Sequence, residues 1–176
     1  SGEPTRPACM GCGILISRGL LLNRRQSFRG YFIVLPEIRG GVVMGTDWGK
    51  VKHFKRTEAW GDPDKINPLL VYSLDALREF TGRSIIINNA YRPDDPGSTH
   101  KNGDAADIVI VGLSVVDQFL MAERTRLFAG IGIYPHWHRP GLHVDVRPLQ
   151  PHQHGPRWAR NAAGVYVALN WEFLRK

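Results

Sequence analysis

The chain has 176 residues and a mass of 19.8 kDa, enough for one compact domain with a real core and too short for two ordinary ones. Hydrophobic residues at 43% against 22% charged residues exclude wholesale disorder. The formal charge of +7 favours an acidic partner such as nucleic acid, anionic lipid or an anionic cell-wall polymer, and no nucleic-acid motif or aromatic platform accompanies it.

Cys9 and Cys12 stand near the start as Cys-Met-Gly-Cys. A redox pair of this spacing opens a helix after a strand, and a structural zinc site needs a second ligand pair; neither context is present, so both read as incidental thiols. The apolar run 12–22 is cut by Arg18, is too short to span a bilayer and lacks a small-residue cleavage site, which argues against a signal peptide. Up to about Thr46, apolar runs at 14–16, 20–22, 31–35 and 41–44 read as short strands or strand-like loops, punctuated by Pro36 and Gly40-Gly41.

From Asn67 the pattern sharpens. Asn67 is an N-cap, Pro68 suits the first helical position, Leu70, Leu74, Leu77 and Phe80 (with Ser73) form a stripe, and Gly82 stops it; the spacing predicts a helix over 68–81. Residues 84–90 and 105–111 read as β-branched strands. Ser114 caps a second helix with Val115, Val116, Phe119 and Leu120 on its apolar side. Residues 130–134 and 142–146 read as two strands joined by the His- and Pro-rich loop 135–141, and 164–169 as a last strand continued by Trp171 and Phe173. Strands outnumber helices and are too closely spaced for parallel crossovers throughout. A single α+β domain with a mainly antiparallel sheet flanked by helices is expected.

Three segments concentrate metal-ligand residue types. His100 and Asp107 are seven apart, and His143 and Asp145 lie two apart in a strand, so that both project from one face. Two neutral imidazoles and one carboxylate make an open ligand set suited to Zn²⁺, which takes three or four N, O or S donors. On spacing alone, a surface pair or a satisfied core histidine is the commoner reading of such residues.

The surrounding blocks, in order, are Ala90-Tyr91-Arg92-Pro93, Ser98-Thr99-His100, Gly103-Asp-Ala-Ala-Asp107-Ile108, Gly130-Ile-Gly-Ile-Tyr-Pro135, His143-Val-Asp-Val-Arg147 and Arg157-Trp158. Together they resemble the zinc D-Ala-D-Ala carboxypeptidases and L-alanyl-D-glutamate endopeptidases that cut peptidoglycan stem peptides. A small branch of that family has motifs reading roughly Ser-Gly-Tyr-Arg, Ser-x-His, Gly-x-Ala-x-Asp, Gly-Gly-Ile-Gly-x-Tyr-Pro and His-Val-Asp. His53-Phe54-Lys-x-x-Glu58 and the helix at 68–81 resemble the segment with which that branch begins. The likeness covers about residues 50–158 and divides the chain into an N-terminal extension, 1–49, and a peptidase-like domain, 50–176.

The resemblance implies a fold shared with hedgehog signalling domains, with His100, Asp107 and His143 as zinc ligands. It implies that Arg92 faces the substrate carbonyl or carboxylate, with Tyr91 before it on the substrate side; a guanidinium there can stabilise an oxyanion, while an exposed salt bridge for Arg92 and a core aromatic for Tyr91 are the other readings. Asp145 would orient His143 or, alternatively, pair with Arg147 on the sheet face. Trp158 would pack on the sheet. The implied partner is peptidoglycan, and the implied location the periplasm, the extracellular wall or a phage-borne lysin.

Departures from the pattern matter. Asn89-Ala90 replaces Ser-Gly, Pro93 follows Arg92, and Pro140 stands where many relatives carry an acid three residues before the last zinc histidine. A proton acceptor must then come from elsewhere: His138 on the 135–141 loop first, Asp145 second, His136 third, with simple solvent exposure the other reading of the two histidines. His152 and His154 read as part of a surface loop. A zinc-containing wall-binding or structural module without catalysis is the alternative, and the missing acid favours it.

Overall fold

The computed structural model describes residues 45–169 and, upstream, the strand backbones of β1 (Gln26–Phe28), β2 (Tyr31–Ile33), β3 (Ile38–Arg39) and β4 (Val42–Val43), which pair as two antiparallel ladders, β1 with β2 and β3 with β4. Cys9 and Cys12, the apolar runs at 14–16 and 20–22, and Trp171 and Phe173 lie outside the described residues.

A short 3-10 turn, Trp48–Lys50, leads through an irregular segment to helix α1 (Pro68–Thr81). The Asn67 side chain accepts from the Leu69 N–H, and Gly82 closes the helix in the left-handed region at φ 61°, its N–H donating to the Arg78 carbonyl. Leu70, Val71, Ser73, Leu74 and Leu77 are buried along one stripe, while Phe80 packs at its edge. The chain continues through β5 (Ile85–Asn89), a 3-10 turn (Thr99–Asn102), β6 (Ala105–Ile110), α2 (Val115–Thr125), β7 (Gly130–Tyr134), β8 (Gly141–Asp145), β9 (Arg157–Arg160) and β10 (Tyr166–Ala168).

Six of these strands form one sheet in the order β10-β9-β7-β8-β6-β5. All neighbours are antiparallel except β7 with β9, which run parallel because the chain leaves β8, passes along 146–156 and re-enters on the far side of β7. Side-chain alternation then separates the two faces. Ile85, Ile87, Ala106, Ile108, Ile110, Leu142, Val144, Ile131, Ile133 and Ala159 point to one face and join α1 and α2 in a single buried cluster. The opposite face carries the polar residues discussed below. The result is one α+β domain with a mostly antiparallel sheet and two helices.

Helix α2 is rotated from its expected setting. Gln118, Phe119, Ala122 and Thr125 are buried, while Leu120 is exposed. The reason is Gln118: its Oε1 accepts from the Ile110 N–H at 2.9 Å, and its Nε2 donates to the Leu113 and Pro140 carbonyls. A buried amide with these bonds is fully satisfied and ties the helix to the end of β6 and to the loop before β8. No helix among the described residues is long and apolar enough to cross a membrane.

Candidate metal centre

One register row crosses the whole sheet. Asn89 on β5 faces Asp107 on β6, Asp107 faces His143 on β8, His143 faces Gly132 on β7, and Gly132 faces Trp158 on β9. Residues in one row share a face, so Asp107, His143 and Trp158 emerge together on the side away from the helices. A bulge between Ile87 and Asn89 brings Asn89, rather than Asn88, into that row.

The alternation Gly130-Ile131-Gly132-Ile133 now has a physical reason. The isoleucines fill the core, and the glycines clear space on the opposite face. A Cβ on Gly132 would fall inside the Trp158 indole, and one on Gly130 would overlap the Asp145 carboxylate. Trp158 therefore lies flat across β7, 5.2 Å from the His143 ring and with its Nε1–H donating to the Tyr134 hydroxyl at 3.3 Å.

His100 arrives from the 3-10 turn. Gly103 ends that turn at φ 74°, where its missing Cβ admits the Lys65 carbonyl. The segment 90–92 is held between two elements: the Tyr91 N–H donates to the Trp60 carbonyl, and the Arg92 N–H donates to the His100 carbonyl. His100 Nδ1 lies 2.6 Å from the Ala90 carbonyl. A carbonyl only accepts, so Nδ1 carries the proton and Nε2 is left with its lone pair.

Three donor atoms converge. His100 Nε2 and His143 Nδ1 are 3.0 Å apart, and each lies 3.3 Å from Asp107 Oδ1. His143 Nε2 faces Asp145 Oδ2 at 3.3 Å and the Thr99 hydroxyl at 3.4 Å, so its proton belongs on that side and its Nδ1 lone pair also points inward. Two lone pairs and a carboxylate oxygen at this separation repel one another unless a positive charge sits among them. Tetrahedral ligands about 2.0–2.1 Å from a metal are about 3.3–3.4 Å apart along each edge, and the observed triangle comes close to that size. His100, Asp107 and His143, all buried, can hold a metal ion.

Burial works to raise the Asp107 pKa, but hydrogen bonds with His100 and His143 outweigh it and hold the carboxyl well below its usual range. Asp145, with no exposed surface, is likewise held low against burial, by His143 and by Arg147, whose Nε and Nη2 donate at 2.8 and 2.6 Å. Both readings of Asp145 made from sequence are thus present at once: it orients His143 and pairs with Arg147. Burial lowers the His143 pKa, and the two carboxylates more than reverse that, leaving it raised.

These shifts have opposite signs of linkage. The depressed carboxylates stabilise the fold above their unfolded value near ~3.9 and lose that contribution on acidification; the raised His143 stabilises it below ~6.5 and loses its contribution as pH rises through the folded value. Chelator-treated protein is expected to melt highest in the weakly acid range between about pH 4 and 6.5. Metal binding requires neutral imidazoles, so the metal-dependent rise in melting temperature grows from that range towards neutral pH. Thermal unfolding across pH, with chelator and with added zinc, checks this; superimposable curves contradict it.

The other residues singled out from sequence lie around the cluster. Arg92 is at its edge, Nη1 3.7 Å from Asp107 Oδ2 and Nη2 2.9 Å from Asp95, with a buried Nε that has no hydrogen-bond partner. Tyr91 is half-buried and packs against the hydrophobic core. His138 and His136 are exposed on the loop after β7, and among the described residues neither is hydrogen-bonded to the cluster. His152 and His154 are exposed. Sequence reasoning offered the Asp145–Arg147 pair but missed the Thr99 hydroxyl at His143 and the Tyr134 hydroxyl at Trp158, which no spacing signalled. Comparison with family models, curated proteins and solved structures finds no match to this chain.

Proposed function

We propose that the chain is a zinc-dependent peptidase acting on peptide bonds of peptidoglycan, as an endopeptidase or a D,D-carboxypeptidase, with a hedgehog-like peptidase fold. The observation that carries this reading is the triangle of His100 Nε2, Asp107 Oδ1 and His143 Nδ1, with sides of 3.0–3.3 Å and both histidine tautomers set by partners outside it. Two imidazoles and one carboxylate leave a coordination position free, which suits a catalytic rather than a closed structural zinc. Zinc, when bound, supplies a Lewis acid that polarises a carbonyl and lowers the pKa of water. The location that goes with this substrate is the cell wall, from the periplasmic or the outer side.

The protein's own groups take the remaining parts. Asp145 holds His143 in register and Arg147 holds Asp145, so the two act as positioning residues. The partly exposed Arg92 guanidinium, at the edge of the cluster, is disposed to take the carbonyl oxygen of a substrate as negative charge develops on it. Asp145 is fully engaged, which leaves His138, exposed on the loop after β7, as the first candidate to receive a proton.

A module that keeps the metal but does not hydrolyse is favoured by one observation, Pro140 in place of an acid, with its carbonyl tied to Gln118. Incubation of zinc-loaded protein with purified peptidoglycan, followed by mass spectrometry, separates the two. New amine termini or released D-amino acids are expected. Bound zinc with no new termini favours the non-catalytic module.

A further inference from the structure

A cleft of about 270 Å³ opens between the loop after β7 and the turn joining β9 to β10. Its aromatic wall is Tyr134 with Trp137 stacked on it, ring centroids 4.2 Å apart and planes 19° from parallel. Tyr134 also accepts from Trp158, which lies against His143, so two aromatic side chains in contact link the cleft wall to a candidate metal ligand.

Its other wall holds a fixed cation. Arg160 Nε–H donates to the Gly164 carbonyl at 3.0 Å, and the guanidinium sits 5.9 Å from the Tyr166 ring centroid. Gly164 adopts φ 78° and its missing Cβ lets the guanidinium lie over the turn. The turn itself is braced by Asn161, whose side chain accepts from the Val165 N–H and whose carbonyl accepts from the Gly164 N–H. Among the described residues no carboxylate pairs with Arg160, a property it shares with Arg78, Arg83, Arg124, Arg126 and Arg139; what sets it apart is its place in the wall of the cleft. An arginine held in place without an acid, facing an aromatic pair across a cavity, is a receptor for a carboxylate attached to a small apolar body.

We propose that this cleft is a substrate subsite that binds a carboxylate of a peptide whose scissile bond lies at the metal cluster. Arg160 takes the carboxylate, and Trp137 with Tyr134 takes the adjoining apolar part. The assignment of the occupant as a peptide rests on the peptidase reading.

The test is binding of two probes to the full chain by calorimetry: N-acetylated glutamyl-alanine with its carboxylates free, and the same dipeptide fully amidated. The free acid is expected to bind at least about tenfold more tightly, the difference made by one charge-assisted pair. In Arg160→Gln that preference should vanish while the amide still binds. Equal binding of acid and amide to the unsubstituted protein overturns the proposal, as does an acid preference that survives in Arg160→Gln, which assigns the carboxylate to Arg92 or the metal. A second readout needs no variant: the acid should shift the NMR signals of the Arg160 Nε–H and the Trp137 indole N–H, and shifts confined to the metal cluster contradict the subsite. Neither measurement requires hydrolysis. Acid preference without peptidoglycan cleavage keeps the cleft and removes the peptidase; cleavage with equal binding does the reverse.

Discussion

On the proposed reading, His143→Ala is expected to abolish zinc binding and hydrolysis together. His143 is buried and supplies one of the three donors from β8, an interior strand of the sheet. Removing it opens the triangle and leaves two donors, too few to hold zinc against solvent. The loss should exceed the roughly 10–100-fold that follows deletion of an outer hydrogen-bond partner. Metal titration with a competing chelator, run beside a peptidoglycan digest, measures both consequences. Full zinc retention by this variant removes the three-ligand assignment.

Asp145→Asn should be nearly as damaging by a different route. The carboxylate accepts from Arg147 N, Nε and Nη2 as well as from His143 Nε2, and it has no exposed surface. An amide of the same shape must turn its NH₂ group towards one of these donors, so at least one bond becomes a repulsion. Breaking a fully buried ion pair from one side costs roughly 3–5 kcal/mol; Arg147 is about one-third exposed and can regain water, so about 2–3 kcal/mol is expected here. Metal affinity should fall about 10–100-fold as His143 loses its orienting partner. Denaturant unfolding and metal titration of the variant check the two effects separately. A variant with unchanged metal affinity shows that Asp145 serves the sheet and not the site.

The parts of the fold legible in the sequence are those whose signals are local. Helix α1 runs from Pro68 to Thr81 as expected because Asn67, Pro68 and Gly82 act within a few residues of its ends. Strands at 130–134 and 105–110 follow from β-branched or alternating runs, but β9 carries no such signal. Its residues form a strand because Trp158 settles over Gly132, a partner 26 positions earlier, in the sheet's one parallel pairing. The face of α2 was likewise out of reach: Gln118 is buried through bonds to Ile110 and Pro140, and no periodicity predicts that. At the site, residue types and a family resemblance pick out His100, Asp107 and His143. What the sequence lacks is the register that sets Asp107 opposite His143, and the Ala90 carbonyl that fixes the His100 tautomer.

The most direct measurement is the metal content of the purified full chain by elemental analysis, coupled to X-ray absorption at the zinc edge. One zinc per chain is expected, in a nitrogen- and oxygen-ligated shell at about 2.0–2.1 Å with two imidazoles. Protein that stays free of zinc when supplied with it, while keeping its fold, contradicts the account: the three buried side chains would then be a proton-bridged cluster and not a metal centre.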